Sequence, residues 1–213
     1  TAMDLAQTLV AGDVTINNAS FTGSNQQAGT FSGGGSTVGI SDGVILSTGD
    51  VEDVAGPNSS DSLSVNNPDA SGTTVLDDIA TGSTNDEAIL EVDFTVPDDA
   101  DQIFFNYVFG SEEYNEYVDS NFNDAFGLFL NGTNVATIDN PDNPGEDTVS
   151  INNINNGENA DLYNDNDPGD LGTPTPFDTE MDGFTVVLDV GADVVPGSMN
   201  TLAVAIDDLG DSS

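Results

Sequence analysis

Apolar residues in this chain come in short runs with polar segments between them, and the spacing inside each run predicts its conformation. Met3, Leu5, Ala6, Leu9 and Val10 recur at helical spacing and predict one short helix near the N-terminus. From Val14 the period changes to two, with Val14 and Ile16 on one side and Thr15 and Asn17 on the other. Leu90, Val92, Phe94 and Val96 alternate with Glu91, Asp93 and Thr95, the pattern of a strand with one wet face. The run from Gly43 to Ser47 is short and apolar. The run from Ile103 to Phe109 is denser and aromatic, which predicts a strand buried on both faces. Runs from Ala125 to Leu130, Val135 to Ile138, Thr148 to Ile151, Phe184 to Val190 and Thr201 to Ile206 complete the set.

The connections carry turn chemistry. Asn131-Gly132 between two apolar runs is the sequence of a two-residue hairpin. The polar stretches 139–147 and 152–176 are rich in Asp, Asn, Pro and Gly and predict long loops. Strands separated by such loops, with little helical pattern, predict an all-β fold. The expectation is a jelly-roll-like β-sandwich with one short N-terminal helix, forming a single domain over residues 1–213.

Composition narrows the chemistry. The 213 residues include 39 Asp+Glu but no Lys, Arg or His, no Cys and no Trp. Without His, Cys or Lys there is no Ser-His-Asp or Cys-His nucleophile and no Schiff base. Zinc, copper, haem and iron–sulfur sites lose their usual ligands. Without Lys or Arg nothing neutralises DNA phosphates or a transferring phosphoryl group, so no nucleic-acid partner is expected. No run reaches the ~18 apolar residues of a membrane span. The chain opens at Thr1 with no basic or apolar leader, which reads as a mature, processed chain. Zero cysteine excludes a disulfide framework.

A net charge of −39 also repels itself. Like charges at ~4 Å cost about 1 kcal/mol even in water, and no side chain can offset this with an ion pair. Screening, bound metal or partners must do so, and a hypersaline habitat with a Debye length of ~3 Å fits. The same absence leaves trypsin-like proteases no bond to cut.

What remains is a set of carboxylates, amides, hydroxyls and backbone oxygens, the ligands of calcium. Glu112 and Glu113 follow a dense apolar run, and Asp119, Asn123 and Asp124 precede another. Acids beside core strands are costly unless paired, and a cation is the natural partner here. Asp207, Asp208 and Asp211 complete that Ca2+ site if the last strand lies beside Ile103–Phe109, and Asp50 is a further candidate ligand. The bland alternative is a solvated rim of turn acids. The Asp/Asn loops 139–147 and 161–170 do not match the EF-hand pattern. A two-carboxylate glycosidase could use Glu112 or Glu113 with Asp124, but there is no Trp for sugar stacking, and so many acids make chance pairs abundant. Tyr114 and Tyr117 could instead serve a carbohydrate-binding surface, or simply pack over the Glu-Glu turn. Asn18, Asn58 and Asn131 head N-glycosylation sequons, with Asn58, in its polar loop, the best candidate.

Tyr107-Val108-Phe109-Gly110-Ser111-Glu112-Glu113-Tyr114-Asn115-Glu116-Tyr117-Val118, followed by Ser120-Asn121-Phe122-Asn123-Asp124-Ala125-Phe126-Gly127, resembles the choice-of-anchor L family. Ala28–Gly33, Gly39–Asp50, Val149–Asn153, Asp182–Thr185 and Ala205–Asp211 agree with it, so the resemblance covers nearly the whole chain. It implies a prokaryotic secreted or cell-surface β-domain without an established enzyme activity. Family members continue from the Gly-Asp segment into a further apolar strand, whereas Ser213 ends this sequence. Either the chain stops there or the closing strand comes from elsewhere. The resulting expectation is a non-catalytic extracellular structural or adhesive protein. It would be calcium-stabilised and would assemble non-covalently into a fibre or surface layer, with strand donation one route. The alternative is a carbohydrate-binding module of a larger surface protein, with a glycan as its partner.

Overall fold

The computed structural model describes residues 1–61, 63, 76, 84–120, 122–139 and 147–209. Helix α1 (Ala2–Leu9) starts where Thr1 and Asp4 form a reciprocal capping box. The strands are β1 (Thr15–Thr22), β2 (Ala28–Ser32), β3 (Asp42–Leu46), β4 (Thr84–Thr95), β5 (Gln102–Tyr107), β6 (Gly110–Ser111) and β7 (Ala125–Leu130). They continue with β8 (Thr133–Asn134), β9 (Thr137–Ile138), β10 (Asp147–Ser150) and β11 (Tyr163–Asp165). After the short helix α2 (Pro168–Leu171) come β12 (Gly183–Thr185), β13 (Leu188–Asp193) and β14 (Met199–Leu209). The all-β reading with one short N-terminal helix holds, and the second helix is a single turn.

The principal sheet is antiparallel, in the order β1-β4-β14-β7-β10-β9, with β8 paired to β7. Its centre is β4 against β14, with Leu90 opposite Val204 and Val92 opposite Leu202. Leu90, Val92, Phe94 and Leu202 enter the main core, while Ile89 and Ala205 point to the other face and pack with Leu76. The alternation seen in the sequence thus becomes two apolar faces at the middle of the sheet. Each fully buried Leu, Val or Phe contributes about 1.5–3 kcal/mol. Three smaller sheets, β2-β3, β13-β5 and β11-β12-β6, accompany it. Val44 and Leu46 of β3, Phe105 and Tyr107 of β5 and Val190 of β13 pack against the main core, giving a sandwich-like arrangement. Tyr107 stacks on Phe126 of the principal sheet at 4.8 Å between ring centroids.

Two sequence expectations change. The run from Ile103 to Phe109 is not buried on both faces: Phe104 is 74 % exposed, and Ile103, Phe105 and Tyr107 face inward. Strand β5 belongs to a two-stranded sheet, and the Phe104 ring lies over Gly191 of β13, its register partner. The aromatic density came from a ring covering a glycine, not from a second core layer. The run from Phe184 to Val190 divides between β12 and β13, which lie in different sheets. Val186 between them donates to the Leu162 carbonyl.

Asn131 and Gly132 both have positive φ, 51° and 81°, and join β7 to β8 as a two-residue hairpin of the primed type. Stretch 152–176 is more ordered than its composition suggested, since it contains β11 and α2.

Candidate functional site

Two acidic centres form where strands end, and each is assembled by register. The first lies at the end of the sheet β11-β12-β6. Gly183 pairs with Ser111 on one side and with Asp165 on the other. This register sets Asp182 opposite Glu112 and Asn166, just past the paired ends of three strands. Asp182 is fully buried, and Asp167 and Glu180 nearly so.

Amides hold this centre together. Asn58 donates to the Asn166 carbonyl at 3.0 Å and to Asp182 Oδ1 at 2.8 Å. Asn166 donates through its side chain to the carbonyls of Thr179 and Met181, and its amide N–H donates to the Asp182 carbonyl. Glu180 Oε1 accepts from the Ser59 N–H and hydroxyl. Asp167 caps α2 by accepting from Gly169 N at 2.6 Å. Asp182 Oδ2 is buried and has no hydrogen-bond partner among the described residues, and the same holds for Glu112 Oε2.

With no basic side chain in the chain, these acids raise one another's pKa. Burial, then the charges of Asp182, Glu180 and Glu113, push the Glu112 carboxyl up to about 9. Burial and the charges of Asp167, Glu116 and Asp61 push Asp182 up to about 7, against the lowering effect of its bond from Asn58. Glu116 and Asp165 are also raised, chiefly by burial.

The second centre lies at the end of the principal sheet. Asp207 pairs with Ala125, next to Asp124, and a register shift between Ile206 and Asp208 places Asp208 opposite Asn85. Asp207, Asp208, Asp86 and Glu87 are all buried here. Gln27, fully buried, donates to the carbonyls of Asp86 and Thr48. The Ser111 hydroxyl donates to Asp124 Oδ2 at 2.7 Å, which links the two centres. The expectation that Asp207 and Asp208 would join the site by lying beside Ile103–Phe109 is corrected: β14 pairs with β4 and β7, and β5 pairs with β13. The acids meet Asp124 through β7 instead.

The other sequence candidates fall elsewhere. Asp50 accepts from Gln26 and from Glu52 N and shapes a turn. Asp119 is exposed with φ 65°, and its N–H donates to Asn152 Oδ1. Asn123 Oδ1 accepts from Asn152 N, so Asp119 and Asn123 anchor the same loop. The Glu113 N–H donates to Ser111 Oγ. Asp211 and most of loop 139–147 lie outside the described residues. Among the described residues, no three Asp or Glu side chains stand close enough together to hold one metal ion. Asn58, the favoured glycosylation candidate, is corrected: it is buried and its amide is committed to the acidic centre. Asn18 is exposed on β1, and Asn131 occupies the hairpin turn. Tyr114 is fully buried, tilted against Tyr163 at 4.9 Å, while Tyr117 is exposed. Sequence reasoning gave no site role to Asp182, Asn166 or Glu180, and it assigned Asn58 to glycosylation rather than to this centre. The one visible signal is for Asp182, which precedes β12 at Asp182-Gly183 as Glu112 follows β6 at Ser111-Glu112.

A cleft of about 1230 Å³ is lined by β2, β3 and β5 together with β4, β7 and β14 of the principal sheet, and reaches both acidic centres at Glu112, Asp124 and Asp208. Its apolar lining includes Val44, Leu46, Phe105, Phe126, Leu128 and Val204. Among the described residues, β3 pairs only with β2 and β5 only with β13, so a strand edge of each is left without a partner strand.

The choice-of-anchor L domain matches residues 1–213. The chain belongs to the choice-of-anchor L family. Membership marks this choice-of-anchor L domain as a surface-associated protein of a non-catalytic family. No curated protein and no solved structure matches the choice-of-anchor L chain. Among its described residues no helix is long and apolar enough to cross a membrane.

Proposed function

We propose that this domain is a structural and adhesive subunit of the cell surface that assembles non-covalently by accepting an extended segment from a second copy into the cleft lined by β3 and β5. The cleft carries the reading. Among the described residues β3 and β5 each keep a strand edge without a partner strand, and both line the cleft with half-exposed core residues, Val44, Leu46 and Phe105 among them. An added strand would gain main-chain hydrogen bonds from the edges and specificity from alternate side chains set into the groove. Side-chain isopeptide bonds are impossible without lysine, so the contact is non-covalent or uses the terminal amine.

The test is electron microscopy and light scattering of the protein at high salt, where repulsion between chains at −39 is screened. Concentration-dependent ordered fibres or oligomers are expected, and Val44→Asp, which puts a charge in the groove, should disperse them. A chain that stays monomeric at every concentration and binds a glycan array would replace this reading with a carbohydrate-binding module.

A further inference from the structure

The fold buries several carboxylates without a single basic side chain, and among the described residues one oxygen of a fully buried aspartate has no hydrogen-bond partner. That oxygen is Asp182 Oδ2, on a fully buried residue, at the shared end of β6, β11 and β12. Asp182 Oδ1 accepts from the Asn58 side-chain amide at 2.8 Å, which leaves Oδ2 as the unsatisfied oxygen. Register sets Glu112 opposite, and Glu112 also keeps a buried oxygen without a hydrogen-bond partner among the described residues. Glu112 is thus the acid that register places beside the free Asp182 oxygen.

We propose that Glu112 and Asp182 together bind a calcium ion at the end of the β11-β12-β6 sheet. Orphaned buried carboxylate oxygens cost far more than paired ones, and an ion satisfies both oxygens at once. Backbone carbonyls and water complete the six to eight oxygens that calcium takes. The two carboxylates flank separate strands, Glu112 after β6 and Asp182 before β12, and a mixed shell of carboxylate, carbonyl and water suits calcium better than magnesium. Two carboxylates suffice for such a mixed shell, in keeping with the absence of a three-acid cluster among the described residues. The Asn58–Asn166 network is the outer support that holds Asp182 in place. The site stands independently of the assembly reading, because every residue named lies within one chain.

Calorimetric titration of the whole protein with CaCl2 in about 1 M NaCl tests it, since that salt screens loose attraction to the acidic surface. One saturable site is expected, with magnesium at least about tenfold weaker. Asp182→Asn and Glu112→Gln should each weaken calcium at least about tenfold, while Asp13→Asn, an exposed acid before β1, should leave it unchanged. Circular dichroism establishes that each variant is folded. A second readout is terbium emission sensitised by tyrosine, because the Tyr114 and Tyr163 rings both border Gly183. Equal calcium affinity in wild type and both folded variants overturns the proposal, and so does the lack of any saturable site. Should one variant fail to fold, the other decides alone.

Discussion

Glu112→Gln should stabilise the metal-free protein at alkaline pH. The wild-type carboxyl is pushed up to about 9 in the fold, against an ordinary value of 4.5. The native state therefore holds a proton that the unfolded chain releases between those two values. Stability is fully present below about pH 4.5 and is lost as pH rises toward about 9. From about pH 5 to about pH 8, three units at about 1.36 kcal/mol each give a loss of up to ~4 kcal/mol. The side chain keeps some contact with water, and screening reduces this to about 2 kcal/mol. Glutamine keeps the shape, removes the charge and places an N–H2 among acceptors. Thermal melts in EGTA and about 1 M NaCl at several pH values measure the effect. The midpoint difference between variant and wild type should grow in the variant's favour with pH, reaching about 4–8 °C near pH 8. Parallel pH profiles for the two proteins would refute the electrostatic account. A less stable variant near pH 8 would do the same.

Other outcomes follow from particular contacts. Asn58→Ala removes the donor to Asp182 Oδ1 and the Asn166 carbonyl and should cost about 2–3 kcal/mol by chemical denaturation. Mass spectrometry of the native protein should find Asn58 unmodified, since it is buried. Phe94→Ala, at 1 % exposure, should cost about 3–5 kcal/mol. Phe104→Ser, at 74 % exposure, should cost much less, on the order of 1 kcal/mol or below, because most of the ring already meets water. Gly132→Ala places a Cβ at φ 81° with no neighbour to strike, so its cost of about 1 kcal/mol, read from the shift in melting midpoint, is backbone strain alone.

Local order was legible because it depends on neighbours in sequence. The period-two run from Leu90 to Val96 announced β4, the Asn131-Gly132 pair announced its hairpin, and the spacing of Leu5, Ala6 and Leu9 announced α1. The missing basic residues excluded most catalysis before any fold was known. Pairing was not legible. Strands β5, β12 and β13 share one apolar character, yet they entered two different small sheets. Phe104 read as core because the glycine beneath it is 87 residues away along the chain, well beyond any local pattern.

The candidate site divides in the same way. Sequence alone placed Glu112 after a dense apolar run and offered a cation as its natural partner. Only the tertiary structure chose its companion. Asp119, Asn123 and Asp124 are nearer in sequence, but two of them hold a loop and the third receives the Ser111 hydroxyl. Asp182 arrives from far along the chain because Gly183 pairs with Ser111. Which side chains are acidic is written in composition, and which acids must share one buried space is decided by strand register. Register is set by long-range backbone hydrogen bonds and by which apolar face each strand buries, so no window of sequence contains it.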